Sequence, residues 1–321
     1  MATTDQVLAA ACRALPAWGR SASRVELLAR SENLSCAVVC DDGSRFVLRL
    51  HRPGYNERIE LESEVAWVRS LAGAGVAVPL AVATAEGAHY VTVDVGGERR
   101  EAGLVAWVDG SPVAELVGDS QADLATWFCQ IGEMAGRIRT HTEQWEPPDW
   151  FVRRRWDADG LVGARPLWGR FWECADLEPP VRDLLGDART ELHARVSGLD
   201  DGPANFGLIH ADLNLGNLLL DDDRLTVIDF DDAGFGFHAY ELAVALQPLW
   251  GSPGYEVART ALLEGYRSSH EIASEHVDLF VTVRSLMLVG WYCDRPEVRT
   301  PDTDRIVLGR AERAARHLLG R

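Results

Sequence analysis

Hydrophobic positions change their period along this chain, and the change divides it. Residues 3–17, "TTDQVLAAACRALPA", keep apolar side chains at helical spacing. In "SCAVVCDDGSRFVLRLH" the period shortens, and β-branched and aromatic residues run either side of Asp41-Asp42-Gly43. That predicts a hairpin with strands at 37–40 and 45–51. Ile59, Val65, Val68 and Leu71 in "RIELESEVAWVRSLAGAG" return to helical spacing, with Gly73 and Gly75 as the stop. Further strands are predicted over 76–83, 89–95 and 103–108. The first 108 residues thus read as a small sheet with one crossing helix.

From Asp109 onward helical patterns dominate, at 120–142, 180–198, 238–250, 254–270, 273–294 and 302–319. Between the first two lies a segment carrying Trp145, Trp150, Trp156, Trp168 and Trp172. Two short strands are predicted to flank a turn at Asp221–Arg224. No repeat or low-complexity linker interrupts the chain, so "WVDGSP" reads as a hinge between domains at 1–108 and 109–321.

The 321 residues carry a formal charge of −17 from 32 basic and 49 acidic groups. This argues against binding nucleic acid, which draws its affinity from clustered Lys and Arg. Every basic side chain counted is Arg, because the sequence contains no Lys. Schiff-base chemistry and a Walker-type phosphate loop, which both need the amine, are thereby excluded. Any nucleotide phosphate must be held by Arg, backbone N–H groups or metal. Cys12, Cys36, Cys40, Cys129, Cys174 and Cys293 form no CxxC pair, and read as buried or idle thiols of a reducing cytosol. The N-terminus has an acid where a signal peptide has positive charge, and no apolar run reaches membrane-spanning length. A cytoplasmic protein without membrane contact is expected.

The candidate chemistry lies in "LIHADLNLGNLLLDDDRLTVIDFDDAGFG". His210, Asp212 and Asn217 form H-x-D-x-x-x-x-N, and Asp229 follows Asp212 by seventeen residues, after the hairpin. Mg²⁺ takes oxygen ligands from one or two protein groups plus phosphates and water. A further carboxylate, free of the metal, can orient a hydroxyl and accept its proton. Asp221–Asp223 reads as a solvated turn, lacking the Gly and terminal Glu of an EF-hand loop.

These motifs, with "FVLRLHRPGY", "ESEVAWV", "WVDG", "RRRWDADGL" and "LWGRFW", resemble the aminoglycoside phosphotransferase/choline kinase-like family, nearest its homoserine-kinase-like and stress-response Ser/Thr kinase branch. The resemblance implies an α+β, bilobal protein-kinase-like fold, with a small antiparallel-sheet N-lobe and a larger, mainly helical C-lobe. It implies ATP and Mg²⁺, Asp212 as catalytic base, and Asn217 and Asp229 as metal ligands. Arg49 would stand where the family has its phosphate-binding Lys, with Glu64 as its helix partner. "RSENLSCAV" has no Gly, so Ser31, Glu32, Asn33 and Ser35 either cover the phosphates or form a plain turn between strands.

Other positions stay open. His210 reads as a buried buttress, and Glu241 as an anchor for the catalytic loop. Asp231 either assists the metal or substrate or ends a strand, while Asp232 and Asn214 have no assigned role. The Trp-rich segment is core or acceptor pocket. Arg153, Arg154, Arg155 and Asp157 meet a charged acceptor or form a solvated face, and Asp294 is a further pocket candidate. The expected acceptor is a small-molecule hydroxyl: an amino alcohol, a homoserine-like amino acid or an aminoglycoside. The alternatives are a Ser/Thr protein kinase and a catalytically weak nucleotide-binding regulator.

Overall fold

The computed structural model describes residues 2–30, 33–118, 120–295 and 299–321. The chain forms two compact bodies, one containing Met1–Ser111, Glu146–Arg153 and Leu219–Asp231, the other containing the remainder.

The first body is built on a five-stranded antiparallel sheet. Its strands, in spatial order, are Ala22–Arg30, Leu34–Cys40, Arg45–Leu50, Glu98–Ala106 and Tyr90–Val95. Alternation along the central strands decides what each face does. Cys36, Val38, Cys40, Phe46, Leu48 and Leu50 turn to one side and pack with Val7, Ala10, Ala11 and Ala14 of the helix Thr4–Ala14. That helix starts with a capping box between Thr3 and Gln6. Ser35, Val47 and Arg49 are the intervening residues, so the pleat sends them to the opposite side. A smaller cluster joins Leu61 and Val65 of the helix Arg58–Gly73 to Tyr90. Gly103, the register partner of both Arg49 and Tyr90, lacks a side chain for a reason: a Cβ there would lie 2.6 Å from the Tyr90 ring.

Two strand expectations need correction. Residues 76–83 are extended but form no strand beyond a single bridge from Ala81 to Val105. Pro79 interrupts the segment and has no N–H to give a ladder. Conversely, Ala22–Arg30 is a full edge strand that was not expected, although its alternation of Arg24, Glu26 and Arg30 with Val25 and Leu27 carried the signal. Ile59, expected on the buried stripe of its helix, is exposed.

The second body is mainly helical. The helices Gln121–Thr142 and Tyr255–Arg267 approach closely at two glycines. A Cβ on Gly132 would lie 2.1 Å from the Leu262 carbonyl oxygen, and one on Gly265 2.1 Å from that of Cys129. A three-stranded sheet orders Arg155–Trp156, Gly234–Phe237 and Phe206–Ile209, the first pair parallel and the second antiparallel. The helices Pro179–Ser197, His238–Leu246, Ser274–Cys293 and Pro301–Leu319 also belong to this body, with the short helices Val113–Leu116 and Ala158–Val162.

The reading of six idle thiols is overturned for two of them. Cys174 and Cys293 form a disulfide across 119 residues, with Cα atoms 6.0 Å apart. Cys12, Cys36, Cys40 and Cys129 remain free. Among the described residues, no helix is long and apolar enough to cross a membrane.

Candidate active site

In the first body, polar groups gather around Arg49. Its guanidinium lies 2.9 Å from Asp229 Oδ1 and 3.3 Å from Asp231 Oδ2. Burial works against the Arg49 charge, but the two carboxylates outweigh it and raise its pKa above the ordinary value. Asp231 is itself buried, which would favour its neutral form; Arg49 and His51 overcome this and hold its carboxyl far below the usual range. Asn33 donates to Asp231 Oδ2 and accepts at Oδ1 from the Arg52 N–H, 2.9 Å away. Asn33 is thus committed to straps within the protein. Ser31 and Glu32 lie outside the described residues. Ser35 is the register partner of Arg49, and among the described residues its hydroxyl makes no hydrogen bond.

Glu64 has a different ion-pair partner from the one expected. Its Oε2 lies 3.7 Å from Arg153 Nη1, while Arg49 turns to the two aspartates. Burial pushes the Glu64 carboxyl upward despite both guanidiniums. Arg153 also donates to the carbonyls of Glu60, Phe230 and Asp231 at 3.0, 3.1 and 2.8 Å. Asn56 Nδ2 reaches the Asp231 carbonyl at 3.2 Å, and Phe230 meets Trp67 edge-on at 5.6 Å. These contacts fix the backbone around Asp229, which holds a left-handed φ of 66°. A non-glycine residue persists there only when its surroundings over-determine it.

In the second body the strand Phe206–Ile209 delivers the loop His210–Asn217. Glu241, buried on the helix His238–Leu246, accepts the N–H groups of His210 and Ala211 at 2.9 and 2.7 Å. This anchors the turn at Ala211, where φ is 63°. His210 is fully buried, and its Nδ1 accepts the Asp212 N–H at 3.2 Å. Both expected roles, anchor and buttress, are met. Asn214, unassigned from sequence, caps the turn: its side chain accepts the Gly216 N–H at 2.8 Å and donates to the Asp212 carbonyl at 2.9 Å.

Asp212 is held at both carboxylate oxygens. Asn217 Nδ2 donates to Oδ2 at 2.7 Å, which turns the Asn217 carbonyl oxygen away from Asp212. Arg284 Nη2 donates to Oδ1 at 2.7 Å. The sequence reading missed Arg284, yet the signal existed: it is the one charged residue from Leu279 to Cys293 in an apolar helix. Its Nη1 donates to the Tyr240 hydroxyl at 2.9 Å, and its guanidinium sits 4.1 Å from the Trp168 ring centroid. Trp156 stacks on Tyr240 at 5.8 Å and donates Nε1–H to the Asp232 carbonyl at 2.8 Å. Part of the Trp-rich segment is therefore core supporting this cluster. Arg154 pairs with Asp232 at 3.6 Å, and half-exposed Arg155 with Asp157 at 3.0 Å. Asp294 is exposed beside Gly169.

With this geometry in view, comparison with known proteins is decisive. The profile of the phosphotransferase enzyme family matches residues 24–276. The chain belongs to that family. It is accordingly a kinase, with the protein-kinase-like fold of its structural neighbours. It is 24% identical to the amicoumacin kinase of Bacillus subtilis (strain 168) over 301 residues, covering 89% of this chain and 84% of that protein. A microcompartment-associated aminopropanol kinase superposes with a TM-score of 0.83 at 30% identity, covering 97% of both chains. The amicoumacin kinase hAmiN, solved with AMP-PNP, Ca²⁺ and Ami, gives 0.74 at 19% identity, covering 91% of this chain and 88% of the other.

The residues present fit a nucleotide with a divalent ion. Arg49 Nε, His51 Nδ1, Glu64 Oε2 and Asp231 Oδ1 are buried without a hydrogen-bond partner among the described residues. His51 Nδ1 and Asp231 Oδ1 face each other at 3.5 Å and Glu64 Oε2 faces Arg153 at 3.7 Å, ion pairs too long for hydrogen bonds. Leaving buried polar atoms short of hydrogen bonds is costly, so such a set suits a site completed by a polar ligand. The Asp229 carboxylate is 44% exposed while Arg49 beneath it is 15% exposed, leaving an oxygen open to a cation above a fixed positive charge.

Proposed function

We propose that this chain transfers the γ-phosphoryl group of ATP, with Mg²⁺, to the hydroxyl of a small amino alcohol. The observation that carries this reading is Asp212, a carboxylate fixed at both oxygens with Asn217 beside it. The 30% identity and near-complete coverage shared with an aminopropanol kinase support the acceptor class.

Arg49 would bind phosphate oxygens through its guanidinium, assisted by the Ser35 hydroxyl. It is a wider fork than the usual amine, suited to two oxygens at once. Asp231 and Asn33 would keep Arg49 in place, and Glu64 would act on it through space and through Arg153. Asp229 and the Asn217 carbonyl oxygen would hold the ion, which neutralises charge on the phosphates when bound. Asp212 orients the acceptor hydroxyl and takes its proton as the new P–O bond forms. Such a transition state is loose, so catalysis is mainly positioning and electrostatics.

The test is an ATP-consumption screen with Mg²⁺ over amino alcohols, homoserine-like amino acids, sugars, aminoglycosides and Ser/Thr peptides. Turnover with an amino alcohol such as 1-amino-2-propanol is expected, falling about 10²–10⁴-fold in Asp212→Asn. Turnover confined to peptides would make it a protein kinase. Nucleotide binding with no turnover of any acceptor would make it a regulator.

A further inference from the structure

Arg284 does not belong where its sequence puts it unless something holds its charge. It lies within the apolar run "LFVTVRSLMLVGWYC", is 6% exposed, and would bear a heavy desolvation cost if unpaired. Three contacts compensate that cost, and their geometry is informative. The Tyr240 hydroxyl takes Nη1 and the Trp168 ring covers the guanidinium face, which leaves Nη2 aimed at Asp212. The two anchors are themselves buried: Tyr240 is fully enclosed and stacked on Trp156, and Trp168 is 4% exposed and edge-on to the same ring. The arginine is thus a preset arm, fixed from behind, that ends on one oxygen of the proposed base.

We propose that Arg284 is a positioning residue for phosphoryl transfer, locking the plane of the Asp212 carboxylate so that it meets the acceptor hydroxyl in a fixed orientation. This rests on Asp212 acting as the base. Asn217 holds Oδ2 and Arg284 holds Oδ1, so the carboxylate cannot rotate. A carboxylate oxygen has two lone pairs, so one hydrogen bond at each oxygen does not bar it from accepting a hydroxyl proton. In the reaction, the acceptor oxygen bonds to the γ-phosphorus while the bond from that phosphorus to the bridging oxygen of ADP breaks. The hydroxyl proton passes to Asp212 and then to solvent. A loose transition state asks for an aimed proton acceptor more than for a strong base.

The experiment compares wild type, Arg284→Gln, Arg284→Lys, Tyr240→Phe, Asp212→Asn and the Asp212→Asn/Arg284→Gln double variant. The assay uses Mg-ATP and 1-amino-2-propanol. Arg284→Gln is expected to lower kcat about tenfold or more while KM for ATP stays within about twofold. Arg284→Lys, which keeps the charge but not the fork, recovers only part of that loss. Tyr240→Phe loosens the arm and lowers kcat less than Arg284→Gln does, again with KM for ATP within about twofold. The double variant turns over no slower than Asp212→Asn alone. If Arg284→Gln fails to fold, the Lys and Phe variants carry the test. Full activity in Asp212→Asn would remove the base reading. A slow Asp212→Asn with unmoved kcat in the Arg284 variants, or a KM for ATP that rises in step with the loss of kcat, would overturn this inference alone, as would additive losses in the double variant.

Discussion

The cluster around Arg49 and the cluster around Asp212 use the same parts and finish them differently. Each sets a buried arginine against an aspartate at a left-handed turn or beside one. Around Asp212 the parts close on themselves: Arg284, Asn217, Tyr240, Glu241 and two indole rings meet in short hydrogen bonds and stacks. Around Arg49 four buried polar atoms make no hydrogen bond among the described residues, the His51–Asp231 pair being separated by 3.5 Å, and the nearest carboxylate is half open to solvent. The proposed roles fit that difference: a base needs its geometry before the substrate arrives, whereas a phosphate site can leave its last partners to the ligand.

The contrast can be broken from either side. The largest expected effect lies in the closed body, where His238 is buried and neutral. Burial lowers its pKa to about 4 from an ordinary 6.5. Its contribution to stability is therefore fully present above about pH 6.5 and lost as pH falls toward 4, an effect of about 3 kcal/mol. Denaturant titrations in wild type should fall over that range, and His238→Gln should fall less steeply. Equal slopes would mean that acid strikes the molecule elsewhere.

Next comes the open cluster. Arg49→Met should weaken Mg-ATP binding about 10–100-fold, or roughly 1.4–2.8 kcal/mol, seen as a reduced nucleotide-dependent rise in Tm. Arg49→Lys should lie between the two. Unchanged binding in Arg49→Met would move the phosphates away from this cluster. The smallest effect sharpens the comparison most. Asp229→Gly relieves the left-handed backbone and should stabilise the ligand-free protein by about 1 kcal/mol. The lost ion pair is half exposed and Asp231 still neutralises Arg49, so little opposes that gain. The same variant should lose its stabilisation by Mg-ATP. A destabilised ligand-free variant would mean that Asp229 serves structure before ligand.

The helices of the second body were legible because a long apolar period leaves little choice of partner face. The short strands Arg155–Trp156, Phe206–Ile209 and Gly234–Phe237 were not, since two to four residues cannot establish a period. Asp212, Asn217 and Asp229 were singled out by spacing, and the structure puts Asp212 and Asn217 in direct contact. Arg284 was passed over because a periodicity reading averages a single charge into its helix; the cost of burying that charge was the better guide. Adjacent residues also hid opposite duties. Arg153 ties Phe230 and Asp231 into the first body, while Arg154 pairs with Asp232 in the second. The Cys174–Cys293 bond had no local signal, because its ends are 119 residues apart.

The arginine at position 49 has a consequence for how this enzyme can be detected. Reagents that tag nucleotide sites by carrying an acyl or sulfonyl electrophile to a nearby amine depend on a lysine side chain. Here the proposed nucleotide site offers a guanidinium that stays protonated, and the sequence holds no ε-amine at all. A survey of ATP-binding proteins by amine acylation would pass over this kinase even while it bound the probe, and only labelling through a different functional group would register it.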